Sequence, residues 1–103
     1  MYARVTLLEV DVLRAGVDEV LARYRAEVAP EITSQPGYEG MFVLANDDGQ
    51  GLIMTLWSDE RSLEESLPLA TGAVEQFLTV FREAPGREFY EVRLADVPAL
   101  AVE

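Results

Sequence analysis

The chain has 103 residues, half of them hydrophobic and about a quarter charged, the make-up of one globular domain with a single core rather than of a disordered chain. Nineteen Asp and Glu side chains against eight basic ones, all arginine, leave a formal charge of −11; that field repels phosphate backbones and anionic membrane surfaces, so no nucleic-acid partner is expected. Cysteine, histidine and lysine are all absent, which removes disulfides, thiolate nucleophiles, imidazole or thiolate metal ligation, histidine haem ligation, histidine bases and Schiff-base chemistry, so neither cofactor nor metal is expected.

The opening Met1-Tyr2-Ala3-Arg4-Val5 carries no secretory pattern, and no apolar run approaches the ~20 residues that cross a bilayer. A cytoplasmic protein without a membrane partner is the expectation. Tyr2 to Glu9 is β-branched, aromatic and leucine-rich without a breaker, a first strand. Val17, Val20, Leu21, Tyr24 and Val28 then recur at helical spacing, opposite Asp18, Glu19, Arg23 and Glu27. Pro30 ends or kinks that helix, and Pro36-Gly37 marks a turn. Tyr38 to Ala45 and Leu52 to Trp57 read as a β-hairpin around Asn46-Asp47-Asp48-Gly49-Gln50-Gly51.

Ser58 is the expected N-cap of a second helix, with Asp59 and Glu60 in its first turn. Pro68 divides this helix into a short and a longer piece. The longer one carries an apolar stripe of Ala70, Ala73, Val74, Phe77, Leu78 and Phe81 and stops at Pro85-Gly86. Arg87 to Leu94 alternates as a fourth strand. The order β-α-β-β-α-β is that of an α+β, ferredoxin-like antiparallel sheet with two helices on one face, a single domain over residues 1–96 with a tail at 97–103.

Two helices cover one face of such a sheet, so the other face of a monomer should be polar. Here Leu52, Met54 and Leu56 alternate with Ile53, Thr55 and Trp57, while Phe42 and Leu44 alternate with Met41 and Val43; both faces are apolar. The uncovered face is roughly 400 Å², more than a monomer ordinarily leaves open. A homodimer packed sheet to sheet is expected. The alternative is a central strand screened by long neighbours such as Arg4 or Arg93.

The runs YARVTLLE, QPGYEGMFVLA, TLWSDERSLEES and EFYEVRLAD, with the Gly37-Tyr38-Glu39-Gly40 strand opening and Trp57-Ser58-Asp59-Glu60, make the chain resemble the antibiotic biosynthesis monooxygenase superfamily over nearly its whole length. The resemblance implies a dimeric α/β barrel with a pocket in each protomer between sheet and helices. It also implies oxidation of a small planar aromatic or quinol-type substrate without a cofactor. Two family signatures are incomplete. The polyketide-oxidising branch has an asparagine four residues before the tryptophan, where this chain has Ile53. The haem-degrading branch has a helix histidine, absent here, and a first-strand asparagine whose position resembles Thr6.

Trp57 is the side chain most like a family functional position, and a strand-end tryptophan is equally a core residue. Tyr24 and Tyr90 offer phenols to a ligand or edge hydroxyls to the core, and Phe77 and Phe81 line a pocket or fill it. Thr6, Trp57, Tyr24, Tyr90, Phe77 and Phe81 are therefore the candidate substrate-binding set, with no catalytic residue assigned. Asn46 is a turn former, and Asp59, Glu60, Glu64 and Glu65 form a solvated helix start. Two functions stay open: an oxygenase whose substrate itself reacts with oxygen, and a non-catalytic dimeric module that binds a small apolar aromatic ligand or is merely structural.

Overall fold

The computed structural model describes residues 1–77, 80–82 and 86–98, apart from the side chain of Val74. The expected roles of Leu78 and Pro85, and the end of the tail from residue 99, lie outside the described residues. Four strands, β1 (Tyr2–Glu9), β2 (Tyr38–Ala45), β3 (Gln50–Trp57) and β4 (Gly86–Glu91), form an antiparallel sheet in the order β2-β3-β1-β4. Helices α1 (Val17–Glu27), α2 (Ala29–Thr33), α3 (Glu60–Glu65) and α4 (Leu67–Phe77) pack on one side of it, which is the ferredoxin-like α+β fold.

Side-chain alternation decides which strand residues meet the helices. In β1 these are Tyr2, Arg4, Thr6 and Leu8, opposite Trp57, Thr55, Ile53 and Gly51 of β3. The core cluster of Val28, Ile32, Trp57, Leu63 and Phe77 joins this face to α2, α3 and α4, and Val20 and Tyr24 of α1 pack against it. Trp57 is fully buried; its indole N–H donates to Thr55 Oγ1 at 2.9 Å and its ring meets Tyr38 edge-on at 5.9 Å.

Several local expectations are corrected. Helix α1 does close ahead of Pro30, at Glu27, but a short helix α2 follows at Ala29 with Pro30 in its first turn, as its fixed φ and missing N–H allow. The N-cap of α3 is Asp59, not Ser58: the Asp59 carboxylate accepts the Ser62 N–H at 2.7 Å, while Ser58 donates to Asp59. The break between α3 and α4 falls at Ser66, and Pro68 sits in the first turn of α4. Strand β4 ends at Glu91, short of Leu94. The hairpin between β2 and β3 turns through Gly49 at φ +95, where a Cβ would strike the Val10 carbonyl.

Candidate functional site

Between the sheet and helices α1 and α4 lies an apolar cavity of about 70 Å³. Strand alternation supplies Thr6, Leu8 and Ile53 to its floor, and the helical repeat of α1 supplies Val17, Val20 and Tyr24 to its wall. Phe77, held against Phe81 with ring centroids 6.4 Å apart, forms another side. The Arg23 guanidinium lies over the Phe77 ring, 4.7 Å from its centroid. Thr6, Tyr24, Phe77 and Phe81 of the expected set thus come together at one cavity.

Trp57 and Tyr90 do not line it. Trp57 belongs to the core beneath the helices, because a side chain of its size at the end of a central strand fills the space under α2 and α3. Tyr90 pairs with Ala3 and so projects from the opposite face of the sheet, more than half exposed.

A second cavity, about 30 Å³, shares Thr6, Tyr24 and Ile53 with the first and is completed by Arg4, Ile32, Thr55 and Ala70. It has room for one water or one ligand oxygen. Arg4 is only 2% exposed, and so lies on the helix side rather than screening the open face. Its Nη1 donates to Ser66 Oγ at 2.6 Å, and Ser66 in turn donates to the Leu63 carbonyl at 2.7 Å. The guanidinium lies 5.5 Å from the centroid of Trp57.

Burial, and then the neighbouring charge of Arg87, lower the Arg4 pKa to about 10. Burial also raises the Tyr24 phenol to about 12, against the pull of Arg4. Tyr24 is therefore a neutral hydrogen-bond donor at physiological pH. Among the described residues its hydroxyl reaches only the Met41 thioether, at 3.8 Å, a weak acceptor that a ligand oxygen can replace. The sequence reading missed Arg4 and Thr55 as site residues, although strand alternation carries them to the same side as Thr6 and Ile53.

Among the described residues no group of three or more acidic, histidine or cysteine side chains could hold a metal, and no helix is long and apolar enough to cross a membrane. Among curated proteins no similar sequence is found. Solved structures share the fold. One is a protein of unknown function from Nitrosomonas europaea, 21% identical over 95% of this chain and 94% of that one, with a TM-score of 0.74. Another is the monooxygenase ActVA-Orf6 of Streptomyces coelicolor, solved with nanaomycin D, 17% identical over 95% and 92% of the two chains, TM-score 0.71. A third is the haem-degrader MhuD of Mycobacterium tuberculosis, solved with two haems in its active site, 14% identical over 93% and 99%, TM-score 0.67. The family model for antibiotic biosynthesis monooxygenase matches residues 1–71, more than half of the sequence, from β1 into α4. By that match this chain belongs to the antibiotic biosynthesis monooxygenase family.

Proposed function

We propose that the chain is a cofactor-independent monooxygenase acting on a small planar aromatic or quinol-type substrate, as a homodimer joined through the open face of its sheet. The observation that carries this reading is an apolar cavity in which the polar contacts come from Thr6 and a neutral, weakly engaged Tyr24 phenol. Apolar walls hold the ring and exclude water, and the phenol orients an oxygen substituent. The electrons come from the substrate: oxidising a ring-flanked CH₂ to C=O gives up four electrons, which reduce O₂ so that one oxygen atom enters the carbonyl and the other leaves as water. MhuD acts on haem, whereas this sequence has no histidine to ligate haem iron.

The volume favours one other reading. At about 70 Å³ the cavity between sheet and helices is roughly half the size of an engineered cavity that takes benzene. A ring therefore enters by displacing Leu21 and Val43, both partly exposed at the cavity wall, or the protein is a non-catalytic module of the same fold. Oxygen uptake with anthrone and with naphthoquinol, measured for wild type and Tyr24→Phe, tests the choice. The enzyme reading expects uptake above the spontaneous rate and its reduction by about tenfold or more in a folded Tyr24→Phe protein. Saturable binding without enhanced uptake establishes the non-catalytic module.

A further inference from the structure

Five of the eight arginines of this acidic chain pair with acid, while exposed Arg25 and half-buried Arg87 have no carboxylate partner among the described residues. Arg14, Arg23, Arg61, Arg82 and Arg93, all on the surface, pair with carboxylates at 2.8 to 3.6 Å. Arg4, the most deeply buried cation, has no carboxylate partner among the described residues; its hydrogen bond goes to the neutral Ser66. A buried charge without a counter-charge is costly, and such groups concentrate at functional sites.

The other polar side chains that line the small cavity beside Arg4 all carry a proton to donate. Thr55 Oγ1 already accepts the Trp57 indole N–H, so its own proton is free to be donated. Among the described residues Tyr24 donates only to a thioether, and Thr6 adds another hydroxyl to the same small cavity. Arg87 lies on the same sheet face, opposite Thr6, and its nearby charge acts on Arg4; its own hydrogen bond goes to the Thr71 hydroxyl. Ile32, Ile53 and Ala70 close the cavity with apolar surface. Donors converge on room for one oxygen atom, in a dry setting that strengthens charge-assisted hydrogen bonds.

We propose that Arg4 is the anion-recognising residue of this site, and that its ligand is a planar aromatic bearing an ionised oxygen, either a phenolate or enolate or a carboxylate. The ring occupies the larger cavity, and the oxygen sits beyond Thr6, Tyr24 and Ile53 against Arg4. The net charge of −11 repels anions over the molecule as a whole, so any preference for an anion has a local origin. The assignment rests on the aromatic pocket proposed above and names the class of compound that fits it.

The test compares three probes on one ring: 4-nitrophenol at mildly alkaline pH, where it is ionised, 4-nitrobenzoate, and the neutral 4-nitroanisole. Calorimetry on the intact protein gives each dissociation constant for wild type, Arg4→Met and Arg4→Lys. Wild type is expected to bind the phenolate or the carboxylate at least about tenfold more tightly than the anisole. The preference falls to near unity in Arg4→Met and returns in part in Arg4→Lys. Which anion gains separates the phenolate from the carboxylate source.

Equal binding of neutral and anionic probes by wild type overturns the assignment of Arg4 and leaves the aromatic pocket standing. An undiminished anion preference in Arg4→Met overturns it as well. Binding of none of the three overturns the aromatic pocket, and the Arg4 proposal with it. If Arg4→Met does not fold, Thr55→Val removes one donor from the same cavity and must lower the preference severalfold; an unchanged preference there overturns the proposal.

Discussion

Arg4 and Tyr24 respond to one desolvated environment with opposite signs. Burial lowers the Arg4 pKa from 12.5 to about 10, so the penalty is complete at neutral pH, where the group is charged in both folded and unfolded chains. It amounts to roughly 3 kcal/mol against folding. Tyr24 is raised from 10.0 to about 12. Below pH ~10 it is neutral in both states; between 10 and 12 the unfolded chain loses the proton first, so stability falls as pH rises. Denaturant unfolding across that window should show wild type losing about 2 to 3 kcal/mol more than Tyr24→Phe. Equal losses in the two proteins would show that the phenol is not held neutral by the fold.

At the scale of elements, a short capping signal settles where α3 begins. Ser58 and Asp59 are both good cap residues by type, and the choice between them follows from position. Asp59 has the extended backbone of a cap and accepts from the N–H three residues on, while Ser58 N–H is used in a bond to the Gly37 carbonyl. That bond also ties the start of α3 to the turn before β2, where Gly37 at φ +81 leaves no space for a Cβ beside Ser62. The hydrogen bonds from Ser62 lower the Asp59 pKa. Its contribution to stability is therefore present above the ordinary carboxylate range and lost as pH falls through the lowered value. Thermal melts should find Asp59→Ala less stable than Ser58→Ala at neutral pH. Asp59→Asn should stay close to wild type and lose sensitivity to acid. A Ser58→Ala variant less stable than Asp59→Ala would assign the cap to Ser58 instead.

For the whole molecule, the decisive feature is the sheet face away from the helices. Its central residues Ala3 and Val5 are buried, while Leu7 and Leu44 are more than half exposed and Phe42, Leu52, Met54 and Leu56 are half-buried. Covering such a face with a second copy stabilises by on the order of 10 kcal/mol before association costs. Light scattering at micromolar concentration should find a dimer for wild type. Met54→Asp, which places a charge at the centre of that face, should yield monomer. Wild type running as a folded monomer at that concentration would leave the face without the partner proposed for it.

Strand and helix order was legible in the sequence because each element states its period locally: YARVTLLE and YEGMFVLA coincide with β1 and β2, and the Val17, Val20, Tyr24 repeat lies within α1. Tyr24, Phe77 and Phe81 could be named because helical spacing places them inward, whereas Thr6 came from the resemblance to a family position. Register was not legible. Only the pairing of Thr6 with Ile53 and Arg4 with Thr55 shows which hydroxyls and which cation share a cavity. Nor does any local pattern distinguish Trp57 as core from Trp57 as ligand contact, or turn Tyr90 to the far face through its pairing with Ala3. Local periodicity follows from the bonds of each segment and is written along the chain. The burial of Arg4 without a carboxylate depends on which distant segments meet around it, and only the tertiary structure decides that.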